Sequence, residues 1–215
     1  MLKSQGDVEL IRAIDRHIEQ HFDGDFFVMD EIESALVHID LFVVPAKGDR
    51  EHHVVFTCGM AERPMNVPQA CEAPRFAELT LSLPAEWPLS KNAWQEERWW
   101  WPLRLLKSMA RYPHDNGTWL SCGHSVPGST SGMPFADSTR MTDIVILEPR
   151  MIDEETATFH EGSRGNIPIW GLFPAHASEI EFKRRHSAEK LQELLDGKGV
   201  TELVQPGRES VISPE

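Results

Sequence analysis

The sequence is poor in what a membrane-spanning, secreted or nucleic-acid-binding protein needs. None of its apolar runs approaches the roughly 20 residues required to cross a bilayer. The N-terminus reads Met1-Leu2-Lys3-Ser4-Gln5-Gly6-Asp7 with no apolar segment behind it, which predicts no secretory signal. Cysteine is scarce. Cys58, Cys71 and Cys122 are odd in number and far apart, so they suit reduced thiols in a cytoplasmic protein better than a disulfide framework. Basic side chains are outnumbered, 21 against 34 acidic, giving a formal net charge of −13. That field repels a phosphate backbone and argues against nucleic acid as a direct partner. It attracts a basic protein, and it also serves plain solubility. No internal repeat recurs, and no Pro/Gly/Ser linker divides the 215 residues, so a single domain is expected.

What is present is an alternation of helical and strand periods. Val8, Ile11, Ile14, Ile18 and Phe22 recur at steps of three and four, predicting a helix over residues 7–22 that Gly24 stops. Residues 36–44 are apolar and β-branched up to Pro45, and His38 and Asp40, two apart, share a face of that strand. A strand at 54–58 ends at Gly59. Residues 76–83 alternate, with Ala77, Leu79, Leu81 and Leu83 on one side and Glu78, Thr80 and Ser82 on the other, as in a half-buried strand. Pro102 suits a first helical turn and predicts a helix from there to Tyr112, ended by Pro113. Further strands are expected at 118–126, 142–147 and 167–173, with the Gly/Ser-rich 127–134 as a mobile loop. Ser178 and Glu181 form a capping box for a last helix that pauses near His186-Ser187 and stops at Gly197. The expected fold is α+β: a mixed, largely antiparallel sheet packed with helices. Residues 1–29 supply the first helix and lead-in, 30–196 the body and 197–215 a loose polar tail.

Motifs for chemistry are weak. His17 and His21 are four apart, but a zinc protease needs Glu after the first His, and Ile18 stands there. Both lie near the polar face of the predicted stripe. His52 and His53 point to opposite faces of a strand. No metal and no cofactor are expected. Cys122 shares a strand face with His124, and His114 is a second candidate base, so a small hydrolase using Cys122 or a histidine-bound metal is the alternative class. No third orienting group can be picked out. In Gly128-Ser129-Thr130-Ser131-Gly132 a threonine occupies the place of a nucleophilic serine. Gly162-Ser163-Arg164-Gly165-Asn166 lacks the lysine of a phosphate loop and reads as a hairpin turn. Five of the seven tryptophans fall between positions 87 and 101, mostly as packing, with one or two rings expected to face a partner.

Taken in order, several segments resemble the Suppressor of fused domain. They are His38-Ile39-Asp40, Thr57-Cys58-Gly59-Met60 with Pro64-Met65, Ala77 through Pro84 with Trp87, Trp101-Pro102, Leu106 through Tyr112, Thr118-Trp119, Gly123-His124, Pro134-Phe135 and a closing helix around 179–195. The similarity spans roughly residues 30–196. It implies an α+β fold without catalytic activity, and a protein partner gripped as an extended peptide that adds a strand. Metazoan members carry a second, C-terminal domain that this sequence does not contain. They also tend to have Asp where this chain has Gly123. Short single-domain members look bacterial, and the family is proposed to include immunity proteins that neutralise toxins. The expectation is therefore a non-enzymatic, cytoplasmic protein-binding domain whose partner is an extended peptide or a basic toxin. Tyr112, His114, Trp119 and His124 are its candidate contact residues. A structural domain without a dedicated ligand is the remaining alternative.

Overall fold

Asp7 opens the first helix by accepting the backbone N–H groups of Glu9 and Leu10 at 3.0 and 3.2 Å. This computed structural model describes residues 6–213 apart from 32, 33, 35 and 129–131. The helices are α1 (Val8–His21), α2 (Glu97–Asp115), α3 (Ala177–Arg185) and α4 (Ala188–Gly197). The strands are β1 (Phe27–Met29), β2 (Asp40–Val44), β3 (His52–Cys58), β4 (Glu78–Pro84), β5 (Ser125–Pro127), β6 (Asp143–Leu147), β7 (Thr158–Glu161) and β8 (Gly165–Ala175). They form one mixed sheet in the order β1-β2-β3-β4-β8-β6-β5, with β7 hairpinned onto β8. Among the strand pairs of the described residues, β4 and β8 run parallel and the others antiparallel. No helix among the described residues is long and apolar enough to cross a membrane.

Strand alternation sends side chains into two opposite layers. On one face Leu41, Val43, Val55, Leu79, Leu81, Ile144, Ile146 and Leu172 pack under α2. The other face is shared. Phe42, Val54, Phe56, Ile167 and Ile169 lie under α1, whereas Val145, Leu147, Phe173 and Ala175 lie under α3 and α4. Glu78, Thr80 and Ser82 fall on β4 between these two clusters and are completely buried. The strand expected to be half-buried is therefore covered on both sides, its polar side included.

Several sequence expectations shift for tertiary reasons. The buried stripe of α1 is Leu10, Ala13, Ile14, His17 and Ile18, while Val8 is 57% exposed. His17 is not on the polar face: its ring donates to the Thr156 carbonyl at 2.9 Å. Helix α2 starts five residues before Pro102 and holds both Pro102 and Pro113. Trp99, Trp100 and Trp101 thus form part of its N-terminal half. None of the seven tryptophans is exposed. Trp101 stacks on Phe135 with ring centroids 5.5 Å apart, and Trp87 meets Trp99 edge-on at 5.0 Å while donating its indole N–H to the Trp99 carbonyl. The cluster packs the α2 layer, and the expected exposed rings are not found. The strand expected over 118–126 shrinks to Ser125–Pro127, because Cys122 and Gly123 make a turn with Gly123 at φ +87°. Cys122 and His124 consequently do not share a strand face. The cap of α3 is His176 with Glu179, two residues earlier than Ser178 with Glu181, and the pause at His186-Ser187 splits the last helix into α3 and α4.

The expected loose tail is pinned. Leu203 bridges Ser82, with Ser82 N–H donating to Glu202 O and Val204 N–H to Ser82 O, at 3.1 and 2.8 Å. The Gly162–Asn166 segment is the hairpin turn expected, joining Glu161 to Gly165. Ser129, Thr130 and Ser131, of the loop in which threonine takes the place of a nucleophilic serine, lie outside the described residues.

Candidate functional site

The edge beyond β6 is where the candidate residues collect. Gly123 N–H donates to the Ile146 carbonyl at 2.7 Å, and Ile146 N–H donates to the His124 carbonyl at 2.8 Å. Two residues thus oppose one, a bulge opened by a glycine in the left-handed region. Gly128 N–H then donates to Thr142 O at 2.9 Å. With His124, Val126 and Gly128 facing β6, the backbone groups of Ser125 and Pro127 turn to the outer side, where no strand lies among the described residues. Pro127 has no N–H, so this edge offers one donor, at Ser125, and two carbonyls. Lys183 of α3 braces it by donating to Ser125 Oγ at 3.2 Å.

Trp119 and His124 meet edge-on beside this strand, with ring centroids 5.4 Å apart. Both are half-buried, and burial holds the His124 imidazole below its usual range, so it favours the neutral ring. Tyr112 and His114 make other contacts. Tyr112 packs against the α2 core layer. His114 donates from Nε2 to the Met60 carbonyl at 2.8 Å and lines a small cleft with Leu36, Arg63, Pro64 and Asn66. The structure therefore joins two of the four predicted residues and turns His114 toward a different loop. The alternative nucleophile, Cys122, has its thiol pushed up, first by burial and then by the charge of Glu148. That environment disfavours the thiolate a nucleophile needs.

A buried polar assembly gathers around the start of β4, the middle strand of the sheet, and sequence reasoning did not single it out. Glu78 accepts the N–H groups of Gly59, Met60 and Ala61 at 2.8, 3.3 and 2.9 Å, and the Thr57 hydroxyl at 2.5 Å. Burial pushes its pKa up to about 7 against the pull of these donors. The turn it holds, Met60–Glu62, presents Met60 O to His114, Ala61 O to Arg164 and the Glu62 carboxylate to the His38 N–H. His38 Nε2 lies 3.0 Å from Asp40 Oδ1, and both side chains are buried. The signal available in the sequence was Thr57-Cys58-Gly59-Met60 ahead of an acidic residue on a strand. Its partner could not be read without the register of β3 on β4.

The fold and these contacts define a class: an α+β domain with one parallel strand pair in an otherwise antiparallel sheet, a polar seam at its centre and a short open edge strand. The profile of the Suppressor of fused protein (SUFU) family matches residues 36–209, and the chain belongs to that family. The matched residues include His38-Ile39-Asp40, Thr57 through Met60 and Glu78, the buried polar assembly just described. A suppressor of fused homolog from Neisseria gonorrhoeae FA 1090 has a similar crystal structure, with TM-score 0.67 and 16% identity, covering 96% of this chain and 97% of that one. A chain of the crystal structure of a Sufu–Fu complex is similar at TM-score 0.64 and 14% identity, over 94% of this chain and 92% of that one. Drosophila Suppressor of Fused aligns at TM-score 0.66 and 14% identity; the match covers 97% of this chain but 52% of that one, so this chain spans about half its length. No curated protein matches.

Proposed function

We propose that this chain is a non-enzymatic polypeptide-binding domain that acts as an immunity protein, capturing a basic bacterial toxin along the outer edge of β5. The observation that carries this reading is that edge itself: Ser125 and Pro127 turn backbone groups outward next to the Trp119–His124 pair. An extended segment laid there gains backbone hydrogen bonds, and the two rings give it side-chain contacts. Tyr112 and His114 make their contacts elsewhere, at the end of α2, and are not part of this edge. The Sufu–Fu complex gives a precedent within the family for capture of another protein. The net charge of −13 favours a basic partner through faster encounter.

The test is co-expression with the toxin-like product of an adjacent reading frame. Growth is rescued by the wild-type chain. Trp119→Ala with His124→Ala abolishes rescue while the purified double variant keeps its wild-type unfolding midpoint. Rescue that survives the double substitution, or a toxin that never co-purifies with the wild-type chain, overturns the reading.

A further inference from the structure

Away from the β5 edge, a second concave surface lies where the loop after β6 faces β7 and β8. Ile152, Pro168, Ile169 and Trp170 wall a cavity of about 440 Å³. Its rim is acidic, with Glu148, Asp153 and Glu154 all exposed. Arg150 is the one basic side chain lining it among the described residues, and it is already committed. Its Nε and Nη2 donate to the two oxygens of Asp196 at 3.2 and 3.0 Å, which holds it toward α4, and its Nη1 lies 3.6 Å from Glu148, so Glu148 is shared with it while Asp153 and Glu154 are not. Asp153 is fixed in its ionised form, because hydrogen bonds from Thr156 hold its carboxyl below the usual range. The indole N–H of Trp170, in the wall, is buried with no partner.

We propose that this cleft receives an arginine or lysine side chain presented by a partner polypeptide, its stem on the Trp170 wall and its cation among Glu148, Asp153 and Glu154. Long basic side chains match both halves of the site. Their methylene stems bury against apolar walls while the charged head stays at the rim. The rim carboxylates outnumber the one arginine beside them, so they attract a cation and repel an acidic side chain at the same place. An adjoining cleft shares Glu148 and Arg150 and continues past Glu189 and Glu193 of α4, so a second basic residue on an extended segment also meets carboxylates. The inference rests on the reading of this chain as a polypeptide binder, and adds the side chain that the partner must bring.

The experiment is a titration of the isotope-labelled protein with an acetylated, amidated Gly-Ser peptide carrying two arginines, followed by NMR. A matched peptide with citrulline in place of arginine is the neutral control. The Trp170 indole resonance, assigned with Trp170→Phe, is expected to move and saturate with the arginine peptide and stay still with citrulline. Glu148→Gln with Glu154→Gln, both on the exposed rim, is expected to weaken capture about tenfold. No movement of that resonance, equal movement with citrulline, or unchanged affinity in the double variant overturns the proposal. Because the probe is a bare peptide, the two readings fail separately. Peptide capture without growth rescue sinks the toxin reading alone, and rescue without peptide capture sinks the cleft alone.

Discussion

At the scale of single residues, three glutamates among the described residues are completely buried, two held by backbone N–H groups and one by an arginine. Glu202 accepts the N–H groups of Arg150 and Met151, Glu78 accepts those of the Gly59–Ala61 turn, and Glu179 holds the guanidinium of Arg208. Arg208 also donates to the Pro174 carbonyl at 2.8 Å. Replacing it with Met strands a buried carboxylate, so Arg208→Met is expected to cost about 3–5 kcal/mol, measured by urea unfolding at pH 7. Glu78 makes a prediction that depends on pH. Its folded pKa of about 7 lies above the ordinary 4.5, so the folded state binds the extra proton between those values. Its contribution is full below pH 4.5 and is lost as pH rises through 7. The burial-depressed histidines, His17, His53 and His114 among them, work the other way just below their usual pKa. The difference between wild type and Glu78→Gln isolates the carboxyl: wild type is expected to lose stability relative to the variant between pH 4.5 and 7. A flat difference in unfolding free energy across that window would show that Glu78 does not titrate there.

At the scale of elements, the short turns carry more of the architecture than their length suggests. Gly59 has φ +128°, and a Cβ there would lie 1.8 Å from the His38 carbonyl oxygen. No side chain fits such a place. Gly59→Ala is expected to cost at least about 3 kcal/mol and lower the unfolding midpoint accordingly. Gly123 makes a gentler case. Its φ of +87° asks for glycine, but a Cβ would meet only Ala188 Cβ at 3.4 Å. Gly123→Asp is expected to fold with a loss of about 1 kcal/mol by thermal unfolding. Helix α2 was legible from Leu103, Leu106 and Ala110, but its start was not. Pro102 reads as a first-turn residue from local rules alone. The Trp87–Trp99 and Trp101–Phe135 contacts extend the helix back to Glu97, and local rules do not contain them.

At the scale of the whole molecule, the C-terminal segment closes the sheet. Beyond Gly171, β8 leaves β4 to pair with β6, and residues 202–204 take the vacated place beside Ser82. Arg208 and Val211 then bind Glu179, and the Arg208 carbonyl accepts from His176. A chain stopped after Thr201 loses all of these contacts at once. It is expected to show no cooperative thermal transition by circular dichroism, where the full chain shows one. Charge acts at the same scale. With a net charge of −13, association with a basic partner is expected to slow at least about tenfold between 0.05 and 0.5 M salt, read by stopped-flow fluorescence.

The sequence by itself determined the fold class, the positions of most strands and the sign of the surface field, because hydrophobic period, turn residues and charge are local or additive properties. It also brought Trp119 and His124 into one candidate group, as neighbours along the chain can be. Only the tertiary structure decided which polar groups are buried. Glu78 lies 19 residues beyond Gly59, and Arg208 lies 29 beyond Glu179. The sequence records such residues as ordinary surface charges. Strand register and the path of the closing segment remove water from them, and that removal makes their pairing necessary.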